Sequence, residues 1–251
     1  MAIGLMAAMP DEIALLKEHL QSPSVHSYAG REFYQGILFG KEVVLVLSRI
    51  GKVAAAVTTA ILLDRFPIDF LLFTGVAGAG HEGVNVGDVV VADALIQHDM
   101  DVRPYYRQHE VPIHGKALFE TEVQLTAALC TAANDYLASG LPQALLKEFT
   151  MTAPKVWLSC IASGDQFICD ATALKAIHQR VKNIQVIELA CVEMEGAAVA
   201  QVCLEFEKPC VVMRTISDNA NHDAAVDFIK FLKQVASHYS FGIVKQFFKG
   251  L

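Results

Sequence analysis

Two carboxylates two residues apart close an apolar run in Val192-Glu193-Met194-Glu195-Gly196. A second apolar run, 210–216, carries Arg214 and leads into Ser217-Asp218-Asn219-Ala220. Carboxyl groups can grip hydroxyls, hold charge or pass protons, provided that something offsets the cost of removing them from water. Burying a polar group without a partner costs about 2–7 kcal/mol, and an isolated charge costs more. Acids placed where buried strands end, beside an arginine and a serine, therefore read as a site rather than as a surface. A third acid, Glu12, follows Ala8-Met9-Pro10-Asp11 at the end of the first apolar run. Taken singly, each acid has an ordinary alternative. Glu12 suits the first turn of a helix, Glu195 suits a helix start favoured by the dipole, and Asp218 suits a cap or a turn.

The elements that must position these residues alternate between apolar runs and helix-period segments, the pattern of an α/β sandwich. Strands are expected at 2–8, 69–74, 89–96, 156–161, 184–192 and 210–216, and a hairpin at 33–39 and 42–48 turns through Gly40-Lys41. Helices are expected at 11–20, 52–64, 121–137, 171–180, 195–207 and 226–248. The segment 139–154 reads as an insertion loop. No internal repeat, low-complexity tract or linker divides the chain, so 1–251 is expected to form a single domain.

Of 251 residues, 53% are hydrophobic and 19% charged, enough for a large core and a surface apolar enough to meet another subunit. A net charge of −7 without a basic cluster gives nucleic-acid binding no electrostatic support. The first residues lack a basic region and meet Asp11-Glu12 early, unlike a signal peptide, and no apolar run approaches the roughly 18 residues of a membrane span. The 6 cysteines form no Cys-x-x-Cys pair and mostly sit among aliphatic residues, which points to reduced thiols in a cytoplasm. His98, His109, His114 and His222 lack metal-ligand spacing, so no metal is expected. The glycines of Thr74-Gly75-Val76-Ala77-Gly78-Ala79-Gly80 lack the spacing of a dinucleotide fingerprint.

Six motifs occur in one order along nearly the whole chain: Ala8-Met9-Pro10-Asp11-Glu12, Ile50-Gly51-Lys52-Val53, Thr74-Gly75-Val76-Ala77-Gly78, Ser163-Gly164-Asp165-Gln166-Phe167-Ile168, Val192-Glu193-Met194-Glu195-Gly196 and Ser217-Asp218. Together they resemble the bacterial 5′-methylthioadenosine/S-adenosylhomocysteine nucleosidases of the nucleoside phosphorylase/hydrolase superfamily. The resemblance implies a three-layer αβα sandwich with a central mixed sheet, a homodimer, no cofactor, and hydrolysis of an adenosine N-glycosidic bond. That reaction passes through an oxocarbenium-like sugar and a departing purine anion, so an enzyme must stabilise the one, protonate the other and position water.

The resemblance implies a role for each matching residue. Asp218 is the general acid facing purine N7, with Ser217 beside it. Glu12 is the base that activates water, and Arg214 either helps to orient that water or forms an ion pair with a buried acid. Glu195 holds the ribose 2′- and 3′-hydroxyls, Met194 packs on the sugar, and Glu193 organises the water side. Phe167 stacks on adenine while the Ile168 backbone reads its edge. Met9, Ile50 and Phe228 line the site, the last two facing the alkylthio group. Tyr105 and Pro112 belong to a segment that reaches into the neighbouring subunit's site.

Phosphorylases of the superfamily flank the glycine of the central strand end with Arg and Ser or Thr. Phe73 and Val76 stand there in this chain, and neither can bind phosphate. Val76 also departs from the Ser common among the hydrolases. The reading is therefore hydrolysis, with 6-amino-6-deoxyfutalosine as the alternative substrate. A purine nucleoside phosphorylase and a non-catalytic nucleoside sensor stand behind it.

Overall fold

The computed structural model of the chain describes residues 2–139, 141–182, 188–221 and 224–251. The chain opens with β1 (Ala2–Ala7) and α1 (Pro10–Glu18), then an antiparallel meander of β2 (Gln21–Tyr28), β3 (Arg31–Leu38) and β4 (Lys41–Leu47). α2 (Lys52–Arg65), β5 (Ile68–Phe73), β6 (Val76–Ala79), β7 (Val89–Gln97) and β8 (Leu118–Glu120) follow. Next come α3 (Val123–Ala138), α4 (Gln143–Glu148), β9 (Val156–Ser163), α5 (Ala171–Lys182), β10 (Leu189–Glu193), α6 (Gly196–Glu205) and β11 (Cys210–Asp218). The chain ends in α7 (Ala224–Phe231), a π-helical turn at Leu232–Ala236, and α8 (Ser237–Gly250).

One 11-stranded sheet runs β2-β3-β4-β1-β5-β11-β6-β10-β9-β7-β8. β1 lies parallel between β4 and β5, and β11 lies parallel between β5 and β6. β7 also pairs back onto β11, Val89–Val91 against Met213–Thr215, so β11, β6, β10, β9 and β7 close into a ring. The α/β fold with a central mixed sheet is borne out, with this closed half added.

The central strands β1 and β11 are buried along their whole length because helices cover both faces. Alternate residues of each strand go to opposite sides. Ile3, Leu5, Val43, Leu45, Phe70, Leu72 and Val211 pack with α1, α3 and α8. Met6, Val44, Val46, Leu71, Phe73 and Val212 pack with α2 and α6. Each such buried side chain contributes roughly 1.5–3 kcal/mol. The parallel strands therefore present their C-terminal ends together, where ligand sites of α/β sheets form.

Four local expectations change. β2 is an exposed strand bearing Pro23, at the sheet edge where a missing N–H is tolerated. β6 and β8 are also additional, too short to show periodicity. The segment 139–154 contains helix α4, and the terminal helix starts at Ala224 and is interrupted by the π turn. The strand expected over 184–192 is described from Leu189, with 184–187 and His222 outside the described residues. Among the described residues no helix is long and apolar enough to cross a membrane. Cys160, Cys191, Cys203 and Cys210 are buried, Cys130 is half-buried and Cys169 is exposed.

Candidate active site

The ends of β1, β10 and β11, the loop after β9 and the first residues of β6 enclose a cavity of about 340 Å³. Glu12, Glu193, Glu195 and Asp218 all reach its wall, together with Met9, Ile50, Val76, Phe167, Ile168, Met194 and Phe228.

Glu12 is held from both ends. Pro10 starts α1 with its φ already suited to a helix, placing Glu12 at the third helical position. Its carboxylate turns back so that Oε2 accepts the backbone N–H groups of Ala8 and Met9, each at 2.8 Å, while Oε1 accepts Val76 N–H at 3.0 Å. A Cβ at residue 75 would come within 2.7 Å of Oε1, so the close approach requires Gly75. Burial raises the Glu12 pKa, against the pull of the Arg214 charge and the backbone N–H donors.

Glu193 and Glu195 are two residues apart, both buried and both at the cavity, and differ in their partners. Glu193 forms a buried ion pair with Arg214 Nη2 at 2.6 Å. It also accepts the Ser163 hydroxyl and the backbone N–H of Glu195 and Gly196. Arg214 is 1% exposed, lies 4.1 Å over the Phe73 ring and does not line the cavity. Glu195, at the start of α6, accepts one bond, from Gly51 N–H at 2.8 Å, and otherwise faces the cavity. Burial first, then the neighbouring Glu193 charge, push its pKa up to about 8 against the attraction of Arg214.

Asp218 ends β11. Its Oδ2 accepts the Ser217 hydroxyl at 2.8 Å and its Oδ1 accepts Ala220 N–H at 2.9 Å. Burial raises its pKa despite those bonds. Ser217 is buried and reaches Asp218 and the Ala77 carbonyl rather than the cavity. Phe167 meets Phe228 edge-on at 5.5 Å, forming an apolar side of the cavity. Lys52 and Asp99 pair at 2.6 Å, and both Lys52 N–H to Asp165 and Asp165 N–H to Asp99 tie the Phe167 loop to the start of α2.

Tyr105 and Pro112 stand apart from the cavity. Tyr105 is 86% exposed in a separate surface hollow with Arg103 and Arg107, and Pro112 is half-buried. Gln166 lines the cavity without having been singled out, although it lies inside a motif that was. Ser163 and Gly51 likewise act on the acids, through a hydroxyl and a backbone N–H that no side-chain pattern reveals. Among the described residues no group of three His, Cys, Asp or Glu is placed to hold a metal ion.

Four buried acids around one apolar cavity, on a mixed sheet between helical layers, define a protein of the nucleoside phosphorylase/hydrolase class. Residues 2–249 match the model of the phosphorylase superfamily. A 5′-methylthioadenosine/S-adenosylhomocysteine nucleosidase of Bacillus cytotoxicus is 38% identical, aligned over 98% of this chain and 97% of its own. The namesake of Shewanella sediminis is 35% identical over 97% of each. The Neisseria meningitidis nucleosidase crystallised with methylthio-immucillin-A superposes with a TM-score of 0.86 at 34% identity, covering 100% of this chain and 99% of that one. Futalosine hydrolase of Helicobacter pylori superposes with a TM-score of 0.85 at 31% identity, over 100% and 98%. The chain belongs to the phosphorylase superfamily and, within it, to the family of 5′-methylthioadenosine/S-adenosylhomocysteine nucleosidases.

Proposed function

We propose that the chain hydrolyses the N-glycosidic bond of 5′-methylthioadenosine and S-adenosylhomocysteine, releasing adenine and the 5-thioribose product. One observation carries the choice of water over phosphate: among the described residues no Lys or Arg lines the cavity. Arg214, the cation nearest in sequence to the acids, is already bound to Glu193. Phosphate entering beside Glu12, Glu195 and Asp218 would find carboxyl groups and no cation to balance its charge, whereas water needs only an acceptor.

The roles follow from the surroundings of each acid. Asp218, with its pKa raised by burial, retains the proton that the departing adenine takes up at N7. Glu12, fixed by three backbone N–H groups, accepts a proton from the attacking water. Glu195 has acceptor sites free for the two ribose hydroxyls, and in its ionised form it places negative charge opposite the developing cation. Met194 packs on the sugar and Phe167 on the purine, with the Ile168 backbone at its edge. Ile50, Met9 and Phe228 form the apolar wall for the alkylthio group. Arg214 acts at a distance, by fixing Glu193.

The single sheet supports treating 1–251 as one nucleosidase domain. The exposed apolar residues Val53, Val57, Tyr105 and Ile113 support a homodimer whose partner meets the segment 98–115. The buried thiols suit the cytoplasm. Similarity to the Helicobacter pylori futalosine hydrolase gives 6-amino-6-deoxyfutalosine as a second substrate to try. The decisive assay measures free adenine from each nucleoside with and without inorganic phosphate. Adenine release independent of phosphate supports hydrolysis; strict phosphate dependence with a sugar 1-phosphate product overturns it.

A further inference from the structure

The cavity opens past Ile50 onto a second hollow. Ala8, Met9 and Ile50 belong to both, and the outer one is a groove of about 830 Å³. Its wall carries three cations, Lys17, Arg31 and Arg49, against one carboxylate, Glu32. That is a local excess of positive charge in a chain of net charge −7.

The two arginines are held without being neutralised. Arg31 donates to the Thr58 hydroxyl at 2.5 Å and to the carbonyls of Ala29 at 2.9 Å and Ala54 at 3.3 Å. Arg49 donates to the Gly30 carbonyl. All four acceptors are uncharged, and among the described residues neither arginine forms an ion pair. Burial and the nearby Arg49 charge hold the Arg31 pKa below its ordinary value. Glu32 is engaged elsewhere, since it accepts the Tyr34 hydroxyl, which in turn accepts from Lys17 Nζ at 2.8 Å. Arg49 also adopts a left-handed backbone, φ 67°, uncommon for a residue with a side chain. Uncompensated, like-charged guanidinium groups fixed at the edge of a ligand cavity favour a bound anion, and a planar carboxylate matches their donors.

We propose that this groove is a carboxylate subsite, in which Arg49, with Arg31 behind it, binds the acidic end of a long 5′-thio substituent. The inference rests on the nucleosidase reading, which puts the 5′ position beside Ile50. The apolar rim of Met9 and Ile50 suits the thioether and methylene part of such a substituent, and the arginines suit its end. A methylthio group ends at the rim. The homocysteine part of S-adenosylhomocysteine continues beyond it and carries a carboxylate. The groove therefore distinguishes substrates by what lies beyond the sulfur.

The test compares wild type, Arg49→Ala and Arg49→Glu with methylthioadenosine and S-adenosylhomocysteine at low and high salt. Arg49→Ala raises KM for S-adenosylhomocysteine roughly 3- to 10-fold at low salt, as expected for losing a charge-assisted contact near solvent. Arg49→Glu raises it further, kcat stays unchanged, and methylthioadenosine shifts by less than about twofold. High salt reduces the wild-type advantage, as it does for any solvent-facing charge pair. Equal effects on both substrates, or none on S-adenosylhomocysteine, overturn the subsite. If neither nucleoside yields adenine, the hydrolase reading itself fails. Calorimetric affinity for S-adenosylhomocysteine then decides the groove: tighter binding by wild type than by Arg49→Ala supports it, and equal binding overturns it.

Discussion

Glu193 and Glu195 stand side by side at the end of one strand, yet one belongs to the anchored floor of the site and the other to its open wall. Glu193 is paired with Arg214, reached by the Ser163 hydroxyl and capped by the N–H groups of Glu195 and Gly196. Glu195 has one backbone donor and the cavity. The floor resembles the core in having its polar groups fully satisfied; Asp218 and Glu195 on the wall keep capacity for a ligand. Burial is common to both regions. What separates a scaffold acid from a reagent is the number of donors already spent on it. Glu12 lies between the two, with three backbone donors and a face on the cavity.

Exchanging a wall residue tests the comparison most severely. Asp218→Asn keeps the shape and the acceptor for Ala220 N–H but has no carboxylic proton to give. Turnover should fall roughly 10²–10⁴-fold, the usual worth of a positioned general acid, with binding of an uncleaved nucleoside analogue retained. Adenine release and calorimetry measure the two sides, and near-native turnover would remove Asp218 from the mechanism. Because burial raises this pKa above its ordinary 3.8, wild-type kcat/KM should decline as pH rises through the raised value, and the decline should vanish in the residual activity of the Asn variant.

A floor residue should fail in the opposite way. Arg214→Met leaves Glu193 buried without its counter-ion, and removing one partner of a buried pair costs about 3–5 kcal/mol. The denaturant midpoint should drop accordingly. Adding Glu193→Gln to Arg214→Met should recover part of the loss, since the stranded charge is gone. Full additivity of the two changes would mean that the pair does not act as a unit.

The frame of the molecule was legible because both faces of its strands are covered. Residues 2–7, 70–73 and 210–213 read as uninterrupted apolar runs for that reason. β2 was illegible because Gln21, Ser22, Pro23 and Ser24 lie exposed at the sheet edge, where burial imposes no pattern. The site acids showed through their motifs, and the cavity brings Glu12, Glu195 and Asp218 to one wall. Which residues line the cavity and which instead hold its acids was not legible. Arg214 and Ser217 touch Glu193 and Asp218 rather than the cavity, a distinction set by three-dimensional packing. The donors from Gly51 and Val76 are backbone groups, which leave no mark on residue type. Tyr105 is exposed and Pro112 half-buried, both away from the cavity, so any part they play in it depends on a second copy.

A smaller effect, of the opposite sign, comes from Glu195. Its pKa is about 8 in the folded chain against 4.5 for the ordinary group. Between those values the folded chain holds a proton that the unfolded chain has released, so this group's contribution to stability decreases as pH rises from 4.5 to about 8 and then levels off. Glu195→Gln keeps an acceptor for Gly51 N–H and removes the titration. It should be more stable than wild type at pH 8, by an amount on the order of 2 kcal/mol, and the gain should shrink toward pH 5. On the proposed role of Glu195, the cost should appear in function, because the amide offers a weaker grip on the ribose hydroxyls. Ligands lacking the 2′-hydroxyl should discriminate less between variant and wild type than the parent nucleoside does. A pH-independent stability difference would show that Glu195 is not the titrating group.

The smallest change in turnover is expected at Val76, where floor and wall meet. Its backbone N–H, not its side chain, holds Glu12 Oε1 at 3.0 Å, and its methyl groups pack in the apolar layer under α1 and α8. Val76→Ser therefore leaves the Glu12 anchor in place while putting a hydroxyl into an apolar lining. The stability loss should be about 1–3 kcal/mol, read from a denaturation midpoint. The kcat should stay within about threefold of wild type, and phosphate should remain without effect, because a single hydroxyl does not supply the cation that a phosphate needs. A large gain in kcat would mean that the water beside Glu12 is under-held in this chain and that the wall, rather than the anchored acid, limits the reaction. A phosphate-dependent rate would be more damaging, since it would show that one hydroxyl is enough to convert a cavity without cations into an anion site.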